Sequence, residues 1–225
     1  MGINYGPPPI VSKGLIYCVD TIDKHSYPGS GTSVTDLIGG RTATLTNGPT
    51  FNTSGYFDFD GSNDYMDMGF VPTNAICSNG FAWGYWFNWD AIGGNKIQGI
   101  IDNPGGDNGR IYMGPYNGNF MTGCGSTFDT NTGSISTGNW FYCVMSFDGS
   151  STCRTYLNGS LSDTTTSITF SIAGNRNMMW GAANNDGNIL YNNNGKGALT
   201  HFYSKELLAS EVSQNFNAHR ARFGV

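Results

Sequence analysis

The sequence predicts an all-β sandwich or jelly roll, and three observations carry that expectation. Turn-forming stretches recur along the whole chain, short alternating or apolar runs lie between them, and only 12% of the 225 residues are charged. Glycine, at 33 residues, is about twice its usual share, and aromatics reach 14%. Glycine and asparagine supply the backbone conformations that tight reversals need, and aromatic residues fill a sheet-on-sheet core. A disordered chain would carry fewer aromatics and more charge. No fixed-period repeat and no linker divides the sequence, so one large sandwich is expected.

The turns are PGSG (28–31), IGG (38–40), NGP (47–49), DGSND (60–64), NPGGDNG (103–109), YNGN (116–119), FDGSS (147–151), LNG (157–159) and NNDGN (184–188). Between them, strands are expected at Gly14–Asp20, Gly55–Asp60, Phe81–Trp89, Gln98–Asp102 and Gly109–Gly114. Further strands are expected at Asn139–Phe147, Cys153–Gly159, Met178–Ala182 and Ala198–Ser204. One helix is expected over Ala209–Arg220, where Val212, Phe216 and His219 fall at i, i+4 and i+7 on one stripe. Glu206 and Glu211 toward its start and Arg220 and Arg222 toward its end suit the helix dipole, and Gly224 would stop it.

The formal charge of −5, without a basic cluster, argues against nucleic acid and anionic membranes as partners. The opening MGINYGPPPIVSKG has no apolar core of a signal peptide, and no apolar run approaches bilayer length. Cys18, Cys77, Cys124, Cys143 and Cys153 are odd in number and form no CxxC. Buried free thiols, made in a reducing cytoplasm, are the expectation.

Longer stretches carry a family resemblance. GLIYCVDTIDKHSYPGSGTSVTDLIGGRTATLTNGPTF, YFDFDGSNDYMDMG, FAWGYWFNWD, NWFYCVMSFDGSSTCRTYLNG and ALTHFYSKELLASEVSQNFNAHRARFG together resemble laminin-G-like, concanavalin-A-like jelly-roll domains, in the right order over nearly the whole chain. The resemblance implies a sandwich closed by a strand and a short helix. SYPGSGT, TLTNGPTF and the terminal NFNAHRARFG also resemble versions from tailed-phage virion proteins. That implies a capsid or tail display module located on the virion, with other virion proteins or a second copy of itself as partners. Where the family commonly places a Ser or Thr N-cap on its last helix, this chain has Leu208. Either packing of Val212 and Phe216 carries that helix, or Ser210 caps a shorter one.

The stretch FDFDGSNDYMDMG (57–69) gathers Asp58, Asp60, Asn63, Asp64 and Asp67. Calcium needs six to eight converging oxygens at about 2.3–2.6 Å. Strand alternation spreads these acceptors, so a strand, a tight turn and a partner strand explain every residue type. No metal ligand and no cofactor is therefore assigned, with calcium as the alternative. A glycosidase needs a spaced carboxyl pair. The E-x-D-x-x-E motif that β-glucanases of the resembled fold carry is missing, and Glu206 and Glu211 are the only glutamates. His25, His201 and His219 have no neighbour at metal-ligand spacing, and there is no GxSxG elbow. No catalytic residue is assigned, and the expectation is a protein that is not an enzyme.

In FAWGYWFNWD, alternation puts Phe81, Trp83, Tyr85, Phe87 and Trp89 on a core face. Trp86 and Asn88 point the other way, either packed under a covering segment or open as a ring-and-amide surface for a host-surface glycan. Residues 1–12 read as an extended N-terminal segment preceding the domain at 13–225. Pro7, Pro8 and Pro9 favour polyproline geometry, and Ile3, Tyr5 and Ile10 would anchor an assembly arm; a frayed tail is the other reading. The function expected is a non-enzymatic virion structural protein, with a carbohydrate-binding module as the alternative.

Overall fold

The computed structural model describes residues 8–102, 107–172 and 175–225. In chain order the strands are β1 Leu15–Asp20, β2 Ser33–Thr35, β3 Thr42–Thr46, β4 Thr50–Asn52, β5 Tyr56–Asp60 and β6 Tyr65–Asp67. A single helical turn, α1 (Asn74–Cys77), precedes β7 Phe81–Trp89, β8 Gln98–Asp102, β9 Arg110–Tyr116, β10 Asn119–Gly125 and β11 Thr127–Ser134. There follow β12 Trp140–Phe147, β13 Cys153–Leu157, β14 Ser160–Thr165, β15 Met179–Trp180, β16 Ala183–Asn185, β17 Asn188–Leu190, β18 Asn194–Tyr203 and the closing helix α2, Ala209–Phe223.

Three sheets build a sandwich. The largest runs β14-β13-β12-β7-β18-β5-β4, with β1 also paired to β18. The second runs β11-β10-β9-β8-β16-β17, and a small third sheet runs β15-β6-β3-β2. Pairing is antiparallel except between β8 and β16. The core lies between the sheets. All five inward residues of β7 are fully buried in it, as alternation predicts, against Phe57, Phe59, Ile100, Ile111, Met113 and Phe120. The five cysteines are free and buried, in agreement with the thiol expectation.

The expected hairpin in FDFDGSNDYMDMG is corrected. β5 and β6 do not pair: β5 joins β4 and β18, while β6 joins β3 and β15. The turn carries the chain from the large sheet to the small third sheet, so Phe57 and Phe59 enter the core from the former and Met66 from the latter. Alternation reports which residues face inward, but not which sheet they face inward from.

The outer face of the large sheet is covered by α2. Trp86, Tyr142, Val144, Tyr156 and Leu199 form a second apolar cluster with Val212 and Phe216 of the helix. The helix runs its full 15 residues from Ala209, so the shorter helix capped by Ser210 does not form. Leu208 has no side-chain acceptor to offer; instead the Glu211 carboxylate accepts the Leu208 N–H at 2.9 Å and is gripped by Lys205 Nζ at 2.6 and 2.7 Å. That is half of a capping box, stiffened by an ion pair. Gly224, at φ 70°, stops the helix as expected.

The independent arm is corrected over its described part. Val11 is buried beneath α2, its N–H donates to Asn215 Oδ1 at 2.8 Å, and its carbonyl accepts from Tyr203 Oη at 2.9 Å. Gln214 Nε2 donates to the Pro9 carbonyl at 2.7 Å. Pro9–Ser12 thus belong to the domain rather than to an arm, because Val11 completes the apolar cluster and its backbone is hydrogen-bonded there. Pro8 and Pro9 are exposed and Ile10 is half-buried. Ile3, Tyr5 and Pro7 lie outside the described residues.

Candidate functional site

The residues singled out in the sequence separate into two places, neither of which is an open binding surface of the expected kind. Trp86 is fully buried: its ring stacks on Phe223 at 4.2 Å, Tyr142 at 5.2 Å and Phe216 at 5.7 Å. Asn88, two residues along, is 7% exposed. The ring-and-amide surface for a glycan is therefore closed, and the covering-segment reading of this face is the one realised. The cover is α2, some 120 residues further along the chain, which no local pattern around Trp86 encodes.

The acidic stretch is used mostly for turn structure. Asp60 Oδ1 accepts the N–H of Ser62 at 2.8 Å and of Asn63 at 3.4 Å, and these bonds, the first above all, hold its carboxyl below the usual range. Asp64 Oδ2 accepts the Asp60 N–H, and Asp67 accepts from Gly69 N and Asn177 Nδ2. Asp58, Asp60, Asp64 and Asp90 line an open cleft of about 440 Å³ with Thr50 and Asn194. Burial pushes the Asp58 carboxyl up, with Lys196 opposing and Asp90 reinforcing; burial likewise raises Asp64. Lys196 pairs with Asp90 at 2.7 Å. Among the described residues, no group of three or more His, Cys, Asp or Glu side chains is placed to hold a metal ion. Glu206 is paired with Arg154 at 2.6 Å, and His201 is buried against Tyr142 Oη at 2.8 Å with its imidazole pushed down to about 3, mainly by burial.

An aromatic cavity lies on the outer face of the six-stranded sheet. The β9–β10 hairpin turns at Asn117-Gly118, both at positive φ, which matches the twist of the paired strands. Alternation sends Ile111, Met113, Phe120 and Cys124 into the core and leaves Tyr112 and Met121 outward. Tyr112 faces Gly123 across the ladder, and a Cβ on Gly123 would collide with the Tyr112 ring. The missing side chain thus lets the ring lie flat on the neighbouring strand. Ile97, Met121 and Ala183 complete an apolar floor with it.

Above this floor is a cavity of about 200 Å³ whose lining includes Asn95, Ile101, Arg110, Phe128 and Tyr191. Phe128 is 57% exposed and Tyr191 38%, so two rings stand open beside it. Arg110 Nη1 donates to the Ser126 carbonyl at 3.1 Å, and its guanidinium lies 5.7 Å from the Phe128 ring centre, within cation–π range. The Asn95 side-chain oxygen is buried without a hydrogen-bond donor. The described lining carries no carboxylate. Exposed rings beside a guanidinium can hold a polar molecule that has an apolar face; the described lining supplies no acid–nucleophile pair.

Sequence reasoning found β9 and the YNGN turn but not this site. The polar strand TFDTNTGS (Thr127–Ser134) carries no apolar alternation, so Phe128 had no assigned strand. Tyr191 stands in an asparagine-rich loop. The one legible signal was Tyr112, a large ring at the outward position between two core residues.

Comparison with known proteins gives the class. Residues 60–213 match the family described as the concanavalin A-like lectin/glucanases superfamily, and the chain belongs to it. Among solved structures it is similar to Trypanosoma rangeli sialidase in complex with sialic acid, at TM-score 0.70 and 13% identity, over 96% of this chain and 36% of that one. It is also similar to the botulinum neurotoxin serotype D binding domain, at TM-score 0.64 and 16% identity, over 90% of this chain and 51% of that one. At these identities the likeness is one of fold, and the chain spans about a third to a half of those proteins. No curated protein matches the sequence.

Proposed function

We propose that this protein is a non-catalytic carbohydrate-binding module that holds a saccharide on the outer face of its six-stranded sheet, without a metal or other cofactor. The observation that carries the reading is the aromatic cavity above buried Tyr112, edged by the exposed residues Phe128 and Tyr191. A sugar ring presents an apolar face that can stack on such side chains. The lectin-like fold and the neurotoxin binding domain among its structural neighbours support the same class. The setting we propose for the module is a tailed-phage virion facing host-surface glycans; its support is the short motifs SYPGSGT, TLTNGPTF and NFNAHRARFG, and the comparisons tie the chain to no virion protein.

A printed array of neutral and sialylated oligosaccharides tests the reading. The wild type should bind a defined subset, and Phe128→Ala, at an exposed position, should lose that signal while keeping its Tm. A silent array, or binding indifferent to Phe128→Ala, would overturn the site. Probing purified particles for the chain by mass spectrometry tests the virion setting separately.

A further inference from the structure

Six described residues other than glycine have positive φ: Asn47, Asn117, Asn158, Ser167, Asp186 and Tyr191. Five are Asn, Asp or Ser, short polar side chains that turns commonly accommodate. Tyr191, at φ 60°, is the exception; the left-handed region is sterically costly for a bulky side chain. Burial alone does not account for the residue, since it keeps 38% of its surface exposed at the edge of the aromatic cavity.

The strained backbone is held from beneath. Asn193, fully buried, donates Nδ2 to the Tyr191 carbonyl at 3.3 Å and to the Gly181 carbonyl at 3.2 Å. Its Oδ1 accepts from Trp89 Nε1 at 2.8 Å, which anchors it to the central core strand. Lys96 Nζ donates to the carbonyl of the intervening Asn192 at 2.8 Å. The core therefore fixes residues 191–193 in a conformation that glycine would adopt freely, and the residue presented there is a tyrosine. Strain maintained by surrounding structure at a cavity edge is characteristic of ligand contacts.

From this geometry we infer that Tyr191 is the ligand-contacting wall of the aromatic cavity, held in its strained conformation for that purpose, and that Asn193 is its positioning residue. The inference rests on the carbohydrate reading. It assigns to Tyr191 a contact whose removal separates binding from stability, which a packing role would not do.

The test titrates the strongest-scoring array oligosaccharide into the wild type and four variants by calorimetry and measures each Tm. Tyr191→Gly should weaken binding at least about tenfold, the loss of one stacked ring. Its Tm should rise by about 2–4 °C as the strain is released. Tyr191→Phe should bind within about threefold of the wild type, and Asn193→Ser should weaken binding. In a Tyr191→Gly background, Asn193→Ser should have no further effect on affinity, because the coupling between the two residues is then gone. A Tyr191→Gly protein that binds as tightly as the wild type, or that loses binding with a falling Tm, overturns this assignment and leaves the carbohydrate reading standing. A wild type that binds nothing on the array overturns both.

Discussion

Trp86 and Phe223 stack with ring centroids 4.2 Å apart and planes 21° from parallel, which joins the central strand β7 to the last residue of α2. Tyr142 and Phe216 extend the same stack. The contact seals the outer face of the large sheet. Phe223→Ala should therefore lower stability by about 2 kcal/mol, less than a fully buried Phe→Ala, and Tm by roughly 4–8 °C. Tryptophan emission should move to the red as water reaches Trp86. An unchanged emission maximum would mean that α2 does not close this face in solution.

The N-terminal segment gives a second prediction. Deleting residues 1–12 removes buried Val11 and its two hydrogen bonds, leaving Asn215 Oδ1 without the N–H it accepts. A buried polar atom stranded in this way costs about 1–3 kcal/mol. The truncated protein should melt several degrees below the full chain, with Val11→Ala reproducing part of the fall. Equal melting points would show that the segment rests on the domain without supporting it.

Acid should destabilise the protein through His201. Burial is the main cause of its depressed pKa, with His219 adding to it, so the folded state resists a proton that the unfolded chain takes up near 6.5. The unfolded state then binds more protons between about pH 6.5 and 3, and stability falls as pH drops through that window. Burial depresses His219 in the same direction. A His201→Gln variant should show a flatter decline of Tm with falling pH. A slope identical to the wild type would assign the acid sensitivity elsewhere.

The thiols should be inert in the folded state. Burial pushes Cys18 and Cys77 up to about 12 and raises Cys124 and Cys143 as well. The reactive thiolate is therefore scarce near neutrality. A chromogenic disulfide reagent should modify none of the five before unfolding and all five after it, and a reductant should leave Tm unchanged. A thiol that reacts within seconds in the native protein would contradict this burial.

What the sequence determined by itself is local. Period-two alternation identified the inward residues of β7 and the core phenylalanines of β5, and the i, i+4 stripe with its terminal glycine identified α2. Glycine- and asparagine-rich turns marked the reversals of a single sandwich. These features depend on a residue and its near neighbours, so composition and spacing report them. Tertiary structure alone decided that β5 and β6 belong to different sheets, that α2 lies on Trp86, and that Val11 is hydrogen-bonded to Asn215. It also brought Tyr112, Phe128 and Tyr191 to one cavity from separate stretches of chain. Such relations are set by which apolar faces meet when the sandwich closes, and burial is non-directional. A side chain's chemistry makes it fit for a surface; the long-range packing around it determined which of those surfaces stayed open.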